Sequence, residues 1–179
     1  MKMNNGTVII YGSVYGTTKK YADELSRRLG CEAISYEKVG DINAYQTIIY
    51  MGGLYAGGVQ GMKKTMKKLK GISGKKICIV TVGLADPTDE KNIEHIRMNI
   101  KAQVSEELYD KAQIFHLRGG IDYSKLSFLH KKMMGMLYKK LKNIPEEERD
   151  AETSGLIETY NKQVDFVDLD TLTPVMESL

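Results

Sequence analysis

Tryptophan is absent from the 179 residues of the chain, and cysteine, histidine and proline are scarce. The two cysteines, Cys31 and Cys78, lie far apart at or inside apolar segments, so we interpret them as buried small side chains without a redox or metal role. His95, His116 and His130 show no metal-ligand spacing. The sequence therefore predicts neither a disulfide framework nor a metal site.

The sequence also lacks a signal peptide, a low-complexity tract and an apolar run long enough to cross a membrane, so we expect a cytoplasmic protein. Its length suits one domain spanning residues 1–179. The formal net charge is +3, but the lysines are spread over several predicted elements without interleaved aromatic residues. This distribution argues against nucleic acid as a partner.

The most informative segment lies close to the first residue. An unbroken apolar run, Val8 to Tyr11, is typical of a central parallel strand with both faces covered. A helix follows, because apolar residues recur at helical spacing from Tyr21 to Leu29. The connecting loop is rich in hydroxyl groups and glycine: Gly12, Ser13, Val14, Tyr15, Gly16, Thr17 and Thr18. Since a helix N-terminus offers free N–H groups, this loop is predicted to bind a phosphate monoester without a metal.

Several other phosphate loops are excluded by missing residues. The chain has no Gly-x-x-x-x-Gly-Lys run, no Gly-x-Gly-x-x-Gly fingerprint, no cysteine in the loop and no carboxylate at the end of its third strand. The remaining pattern resembles the phosphate loop of flavodoxins, although Tyr15 stands where that family has a smaller hydroxyl residue. The residues that carry the resemblance are Ile9, Ile10, Tyr11, Ser13, Gly16 and Thr18.

Strands and helices alternate along the rest of the chain, as in a doubly wound sheet. The predicted later strands are Glu32 to Tyr36, Thr47 to Met51, Ile77 to Val82 and Ala112 to Leu117. One long helix is predicted after the fourth strand, with Asp86 as N-cap and an apolar stripe of Ile93, Ile96, Ile100, Val104 and Leu108. The resemblance implies an α/β, flavodoxin-like, five-stranded parallel sheet of order 2-1-3-4-5.

The same resemblance implies FMN as the cofactor, with no catalytic side chain. Two glycine-bearing loops would hold the isoalloxazine ring, and Tyr55 is a candidate to stack on it. The candidate ring-binding residues are Leu54, Tyr55, Ala56 and Gly57 after the third strand, and Gly83, Leu84, Ala85 and Asp86 after the fourth. The candidate phosphate-binding residues are Ser13, Val14, Tyr15, Gly16, Thr17 and Thr18.

An insertion at about 119–155 follows the fifth strand, and its layout is similar to that of the bacterial quinone-dependent protoporphyrinogen oxidases. A basic amphipathic helix is predicted from Tyr123 to Lys142, then an acidic solvated loop from Pro145 to Glu152 and a terminal helix capped near Asp170. The helix stripe is Leu126, Leu129, Met133, Leu137 and Leu141. This stripe either packs on the domain or contacts an anionic membrane, a quinone or a porphyrin.

Three functions remain open. The first is an FMN-binding redox protein that exchanges electrons with a partner reductase, a quinone or a small substrate. The second is an oxidase of the protoporphyrinogen type, although Asp122 stands where that family commonly has a basic residue. The third is a binding module of the same fold without a cofactor. Peripheral membrane contact through residues 123–142 is compatible with the first two.

Overall fold

A parallel sheet of five strands lies at the centre of the computed structural model, which describes residues 6–55 and 58–179. The strands are β1 (Thr7–Gly12), β2 (Glu32–Ser35), β3 (Thr47–Tyr55), β4 (Gly58–Val59), β5 (Lys76–Gly83), β6 (Gln113–Arg118), β7 (Gly120–Asp122) and β8 (Gln163–Asp165). The helices are α1 (Thr17–Leu29), α2 (Met62–Met66), α3 (Glu90–Lys101), α4 (Glu106–Lys111), α5 (Phe128–Lys142), α6 (Ala151–Thr159) and α7 (Thr173–Glu177).

The sheet order is β2-β1-β3-β5-β6, and all four neighbouring pairs are parallel. This confirms the predicted flavodoxin-like order. Alternate residues of one strand point to opposite faces, so the central strands feed two cores. Ile10, Tyr50 and Ile79 belong to one core cluster. Ile9 and Val80 belong to the other, where they pack with α1 and α7.

The register brings the carboxyl ends of the strands to one edge. Gly12 pairs with Gly52, Gly53 pairs with Val82, and Gly83 pairs with Arg118. β3 continues beyond this edge and turns back as β4, so Leu54 and Tyr55 lie in a strand rather than in the predicted loop. Loops that are distant in sequence therefore meet above the end of β1.

The long helix predicted after the fourth strand is two helices. Asp89, not Asp86, is the N-cap of α3, and its carboxylate accepts the N–H of Asn92. Asp86 instead accepts hydrogen bonds from the N–H and hydroxyl of Thr88, which stabilises the preceding turn. Ser105 begins α4 by accepting the N–H of Leu108. The two helices share one apolar stripe, which is why the sequence pattern reads as continuous.

The segment between β6 and the C-terminal helices differs most from the prediction. β7 and β8 pair as an antiparallel ribbon, which the sequence pattern does not reveal, and α5 and α6 lie between them along the chain. The acidic stretch from Pro145 to Glu152 is not simply a solvated loop. It contains a 3₁₀ turn, Glu146–Glu148, and the first residues of α6, for which Asp150 is the N-cap.

Helix α5 presents a different face to the domain than its stripe predicts. Met134 is its one fully buried side chain among the described residues, whereas Leu129 and Met133 are exposed. The helix begins at Phe128 behind the N-cap Ser127, after a 3₁₀ turn that Asp122 caps. The buried face follows Met134, Leu137 and Leu141, so the predicted stripe is only half right.

The chain ends with α7 packed against the sheet. Leu172 and Val175 are fully buried, and the cap of the preceding 3₁₀ turn is Asp168 rather than Asp170. The Tyr21 hydroxyl accepts the N–H of Asp168 and donates to the carbonyl of Arg118, which ties this end to α1 and β6. In the part of the chain that the structure describes, no helix combines the length and apolar character that a membrane crossing requires.

Candidate functional site

The N-terminus of α1 begins directly above the end of β1. Gly16 occupies the N-cap position with φ of 89°, a left-handed conformation that glycine adopts without strain. Within the described residues no side chain caps this helix, so its first N–H groups face the loop. The Ser13 hydroxyl accepts the N–H of Gly16 at 3.1 Å and closes the loop. Such a terminus carries partial positive charge and suits an anion.

A cavity of about 350 Å³ opens beside this helix end. Four parts of the chain form its wall: the loop and start of α1, the ends of β3 and β5, α3, and the pair α5 and α6. The main lining residues are Val14, Tyr15, Thr17, Thr18, Leu54, Tyr55, Gly83, Leu84, Asn92, His95, Ile96, Leu137, Lys140, Leu141, Glu152 and Leu156. The cavity thus connects the uncapped N-terminus of α1 with an apolar slot.

Glycines allow the cavity wall to approach the hydroxyl groups of α1. A Cβ atom at Gly53 would lie 3.1 Å from the Thr18 Oγ1, and one at Gly119 would lie 3.2 Å from the Thr17 Oγ1 and 2.8 Å from a methyl group of Val82. A larger residue at position 53 would displace the Thr18 hydroxyl, and one at position 119 would displace the Thr17 hydroxyl. The wall is therefore shaped to leave the two hydroxyl groups in place beside the helix N-terminus.

Tyr15 connects the loop before α1 to the inserted helix α5. Its ring makes an edge contact with Tyr55 at 6.4 Å between centroids, and its hydroxyl donates to the sulfur of Met134 at 2.9 Å. Burial raises the pKa of the Tyr15 phenol, so the hydroxyl stays protonated and donates. Tyr15, the residue that departs from the flavodoxin pattern, therefore packs against Met134 of α5.

Glu152 is one of several cavity residues that sequence reasoning missed, and it carries the most perturbed carboxyl group among them. It lies in the first turn of α6, and its Oε2 accepts the N–H of Ala85 at 3.4 Å. A Cβ at Gly83 would lie 2.9 Å from the same oxygen. Burial raises the pKa of Glu152 to about 7, with a smaller upward contribution from Asp150, while backbone N–H groups of Ala85 and Leu84 oppose the shift. No pattern in the sequence indicates that this carboxyl group points inward.

A second polar group lies where α3 faces the insertion. His95 Nδ1 is 3.2 Å from a carboxylate oxygen of Asp150, and both residues line the cavity with Lys140. The amide of Asn92, a nearly fully buried residue, donates to the carbonyl of Asp86 and fixes the turn before α3. This end of the cavity is more polar than the slot between Leu54 and Leu84.

The structure brings together most of the residues that the sequence proposes for the site. Val14, Tyr15, Thr17, Thr18, Leu54, Tyr55, Gly83 and Leu84 line the cavity. Ser13 and Gly16 shape the loop without lining the cavity, and Ala85 contributes its backbone N–H. Asp86 is engaged in its own turn and does not reach the cavity. Ala56 and Gly57 lie outside the described residues.

Both cysteines and His116 lie outside the cavity beside α1. Cys31 and Cys78 are buried free thiols, and burial raises the pKa of Cys78 to about 12. His116 lies on β6 with Nδ1 at 2.7 Å from the Thr81 hydroxyl, and burial lowers its pKa to about 4. Among residues 6–55 and 58–179, no three histidine, cysteine or carboxylate side chains are grouped as a metal site.

Comparison with known proteins gives one informative match. A protein-family model described as a flavodoxin domain matches residues 8–148. No curated protein sequence matches the chain. Among solved structures, flavodoxin 1 from Bacillus cereus is 16% identical, with a TM-score of 0.44 over 78% of this chain and 99% of its own. A protein assigned as a flavoprotein from Bacteroides uniformis is 12% identical, with a TM-score of 0.47 over 69% of this chain and 95% of its own.

The family match spans most of the chain and includes β1, the loop before α1 and the cavity walls supplied by β3, β5 and α5. It supports a flavodoxin-like redox function and a flavin cofactor. The helix end with its hydroxyl groups and the apolar slot beside it agree with that assignment. The chain therefore belongs to the flavodoxin domain family.

Proposed function

We propose that the protein is a redox protein that binds FMN in the cavity beside α1. The observation that carries this proposal is the continuity between the α1 N-terminus and the slot between β3 and β5. The first N–H groups of α1, with Thr17 and Thr18, would hold the phosphate. Leu54, Tyr55 and Leu84 would border the isoalloxazine ring. When bound, the flavin supplies reversible one- and two-electron chemistry.

The dimensions of the cavity favour FMN over FAD. Pockets for small ligands and cofactors typically occupy about 300–1,000 Å³, and this cavity is near the lower end at about 350 Å³. FAD would add a second phosphate and an adenosine, which this cavity has little room to hold. Among the helix N-termini in the cavity wall, α3 and α6 are capped by Asp89 and Asp150, whereas α1 has no side-chain cap. One uncapped helix end suits one terminal phosphate rather than a pyrophosphate.

The protein's own groups would orient the cofactor and control its surroundings. The backbone N–H of Ala85 points at the Glu152 carboxyl group, and both lie beside the proposed ring position. Arg118 donates from Nε to the carbonyl of Leu84 at 3.1 Å, which fixes the direction of that loop. Leu137, Leu141 and Leu156 of α5 and α6 limit the access of water. These residues would position the cofactor and shield it from water, and we assign none of them a role in breaking or forming bonds.

The closure of the cavity by α5 and α6 supports a small electron-transfer partner, such as a quinone or another organic molecule, over a large protein surface. It is also the observation that supports a second candidate, an oxidase of the protoporphyrinogen type. Asp122 does not favour that candidate, because it caps a 3₁₀ turn and pairs with Lys125 at 3.2 Å. Anaerobic assays with candidate donors and acceptors would distinguish these substrates.

Cofactor titration tests the proposal. The wild-type apoprotein should bind FMN more tightly than FAD. Thr18→Val should weaken FMN binding by about 1–3 kcal/mol, or roughly 5- to 150-fold in Kd, because it removes a hydroxyl group at a charged phosphate. Thr47→Val is the matched control, since Thr47 begins β3 at the opposite edge of the sheet. Equal affinities for FMN and FAD would contradict the choice of FMN, and the absence of binding to either flavin would favour a cofactor-free module.

A further inference from the structure

Helix α5 has an outward face that the domain does not cover. Phe128 is 85% exposed, Leu129 65% and Met136 59%, and Met133 is also exposed. Large apolar side chains are seldom grouped in this way on a protein surface without a partner. The opposite face of the same helix supplies Met134, Leu137 and Leu141 to the domain. The exposed group is therefore a second apolar surface and not the packing face.

The exposed apolar side chains are interleaved with lysines. At 100° per residue, Lys132 and Lys139 fall on the same side of the helix as Phe128 and Met136. The sequence of α5 contains five lysines and no aspartate or glutamate. Long lysine side chains can lie along an apolar surface while their ammonium groups remain at a polar boundary. This combination suits a surface that is apolar inside and negatively charged outside.

We propose that the outward face of α5 docks in the plane of an anionic lipid bilayer. The apolar side chains enter the boundary between headgroups and acyl chains, and the lysines contact lipid phosphates. The acidic turn Glu146–Glu148 follows the C-terminal end of the helix, about 20 Å along the axis from Leu129. The end that carries Phe128 and Leu129 therefore enters the bilayer more deeply.

A second copy of the chain is the less favourable occupant. Pairing two α5 faces would bring two sets of lysines together, and like charges at short range repel. An acidic partner protein would satisfy the charges, but the irregular apolar group of Phe128, Leu129, Met133 and Met136 fits a fluid surface without a matching pocket. The docking does not depend on the proposed cofactor, since none of these four side chains lines the cavity.

Vesicle sedimentation tests the proposal with the whole protein. The chain should sediment with vesicles of phosphatidylcholine and phosphatidylglycerol, bind less with added salt, and bind poorly to phosphatidylcholine alone. The double variant Phe128→Ser/Leu129→Ser should reduce the partition coefficient by about tenfold or more. Met98→Ser is the matched control, because Met98 is 58% exposed on α3. It should leave binding unchanged.

A lysine pair tests the electrostatic part separately. Lys132→Gln/Lys139→Gln should weaken binding to the anionic vesicles by about tenfold, whereas Lys63→Gln/Lys64→Gln on α2 should have a much smaller effect. All four lysines are exposed, so both variants should keep the wild-type circular dichroism spectrum and melting temperature. If the two lysine pairs act equally, the attraction comes from net charge and the proposed face is wrong.

The absence of tryptophan allows a direct measurement of depth. Phe128→Trp places the only tryptophan of the chain on the proposed face, and its emission should shift to the blue when anionic vesicles are added. Met98→Trp should show no shift. The proposal is overturned if the wild type does not bind vesicles, or if Phe128→Trp emission does not shift on binding. It is also overturned if light scattering shows a dimer that Phe128→Ser/Leu129→Ser converts to monomer.

Discussion

The two longest helices, α1 and α5, have similar lengths but very different surroundings. α1 spans 13 residues and fully buries Tyr21, Ala22 and Leu25 against the sheet. α5 spans 15 residues and contacts mainly α6 and the small third apolar cluster. The first helix is a structural part of the sheet domain that also offers an anion site. The second is a cover over the cavity, with one face inward and one outward.

The surroundings of α1 and α5 indicate that the sheet and the inserted helices differ in stability. The central strands share backbone hydrogen bonds and two apolar clusters, so a defect there affects the whole sheet. The inserted helices rest on a cluster centred on Leu84, Ile121, Tyr123 and Met134. A segment with few buried side chains opens at a lower free energy than the core. The sheet domain is thus expected to keep its fold when the cover is disturbed.

The largest expected difference in the free energy of unfolding is between alanine variants of one leucine from each helix. Leu25→Ala should lower the free energy of unfolding by about 2–5 kcal/mol, because it leaves a cavity in a close-packed cluster. Leu129→Ala should change it by less than about 0.5 kcal/mol, because that side chain is 65% exposed. Urea unfolding followed by circular dichroism measures both. Similar losses would show that α5 is as tightly integrated as α1.

The same contrast explains what the sequence could predict. The strands, the cores around Ile9 and Ile10 and the loop at the α1 N-terminus follow from long apolar runs and their spacing, whereas the strand order follows from the resemblance to flavodoxins. The orientation of α5 does not follow, because Leu and Met occur on both of its sides and either side fits a 3.6-residue period. Glu152 could not be predicted either. An acidic residue in a first helical turn usually stabilises the helix dipole from the surface.

Glu152 provides the next largest effect, and it depends on pH. Its pKa rises from 4.5 to about 7 on folding, so between these values the unfolded chain releases the proton first. Stability therefore falls as pH rises from 4.5 through 7. Glu152→Gln removes this loss and should stabilise the apoprotein by roughly 1–3 kcal/mol above pH 7, with little effect below pH 4.5. Urea titrations at several pH values measure the difference.

His116 gives a control of opposite sign for that experiment. Its pKa falls from 6.5 to about 4 on folding, so its contribution to stability is present above pH 6.5 and is lost as pH falls towards 4. In the wild type, the pH dependences of stability that come from Glu152 and His116 have opposite signs and partly cancel. Glu152→Gln should therefore reveal the dependence that comes from His116. A wild-type slope that Glu152→Gln does not alter would mean that Glu152 is ionised and solvated in the folded chain.

A smaller effect is expected from two serine N-caps with similar backbone geometry, of which Ser127 also has its hydroxyl 2.9 Å from Nδ1 of His130. Ser127 accepts the N–H of His130 and Ser105 accepts that of Leu108, each at 3.3 Å. Replacing either with Ala should cost about 1 kcal/mol in its own helix. Ser127→Ala should accelerate amide exchange in α5 without affecting α1, whereas Ser105→Ala should also lower the midpoint of global unfolding. Equal global losses would indicate a single cooperative unit.

The smallest effect concerns the contact that joins the two regions, the Tyr15 hydroxyl donating to the Met134 sulfur. Thioether sulfur is a weak acceptor, so Tyr15→Phe should cost less than about 1 kcal/mol. Tyr11→Phe, one strand residue away from the loop, is the matched control. Because Met134→Leu conserves volume, the cycle of Tyr15→Phe and Met134→Leu should give a coupling energy of about 0.5 kcal/mol, measured by urea unfolding. Zero coupling would leave the Tyr15 ring, through its edge contact with Tyr55, as the connection between loop and cover. In that event Tyr15→Leu, and not Tyr15→Phe, would increase amide exchange in α5.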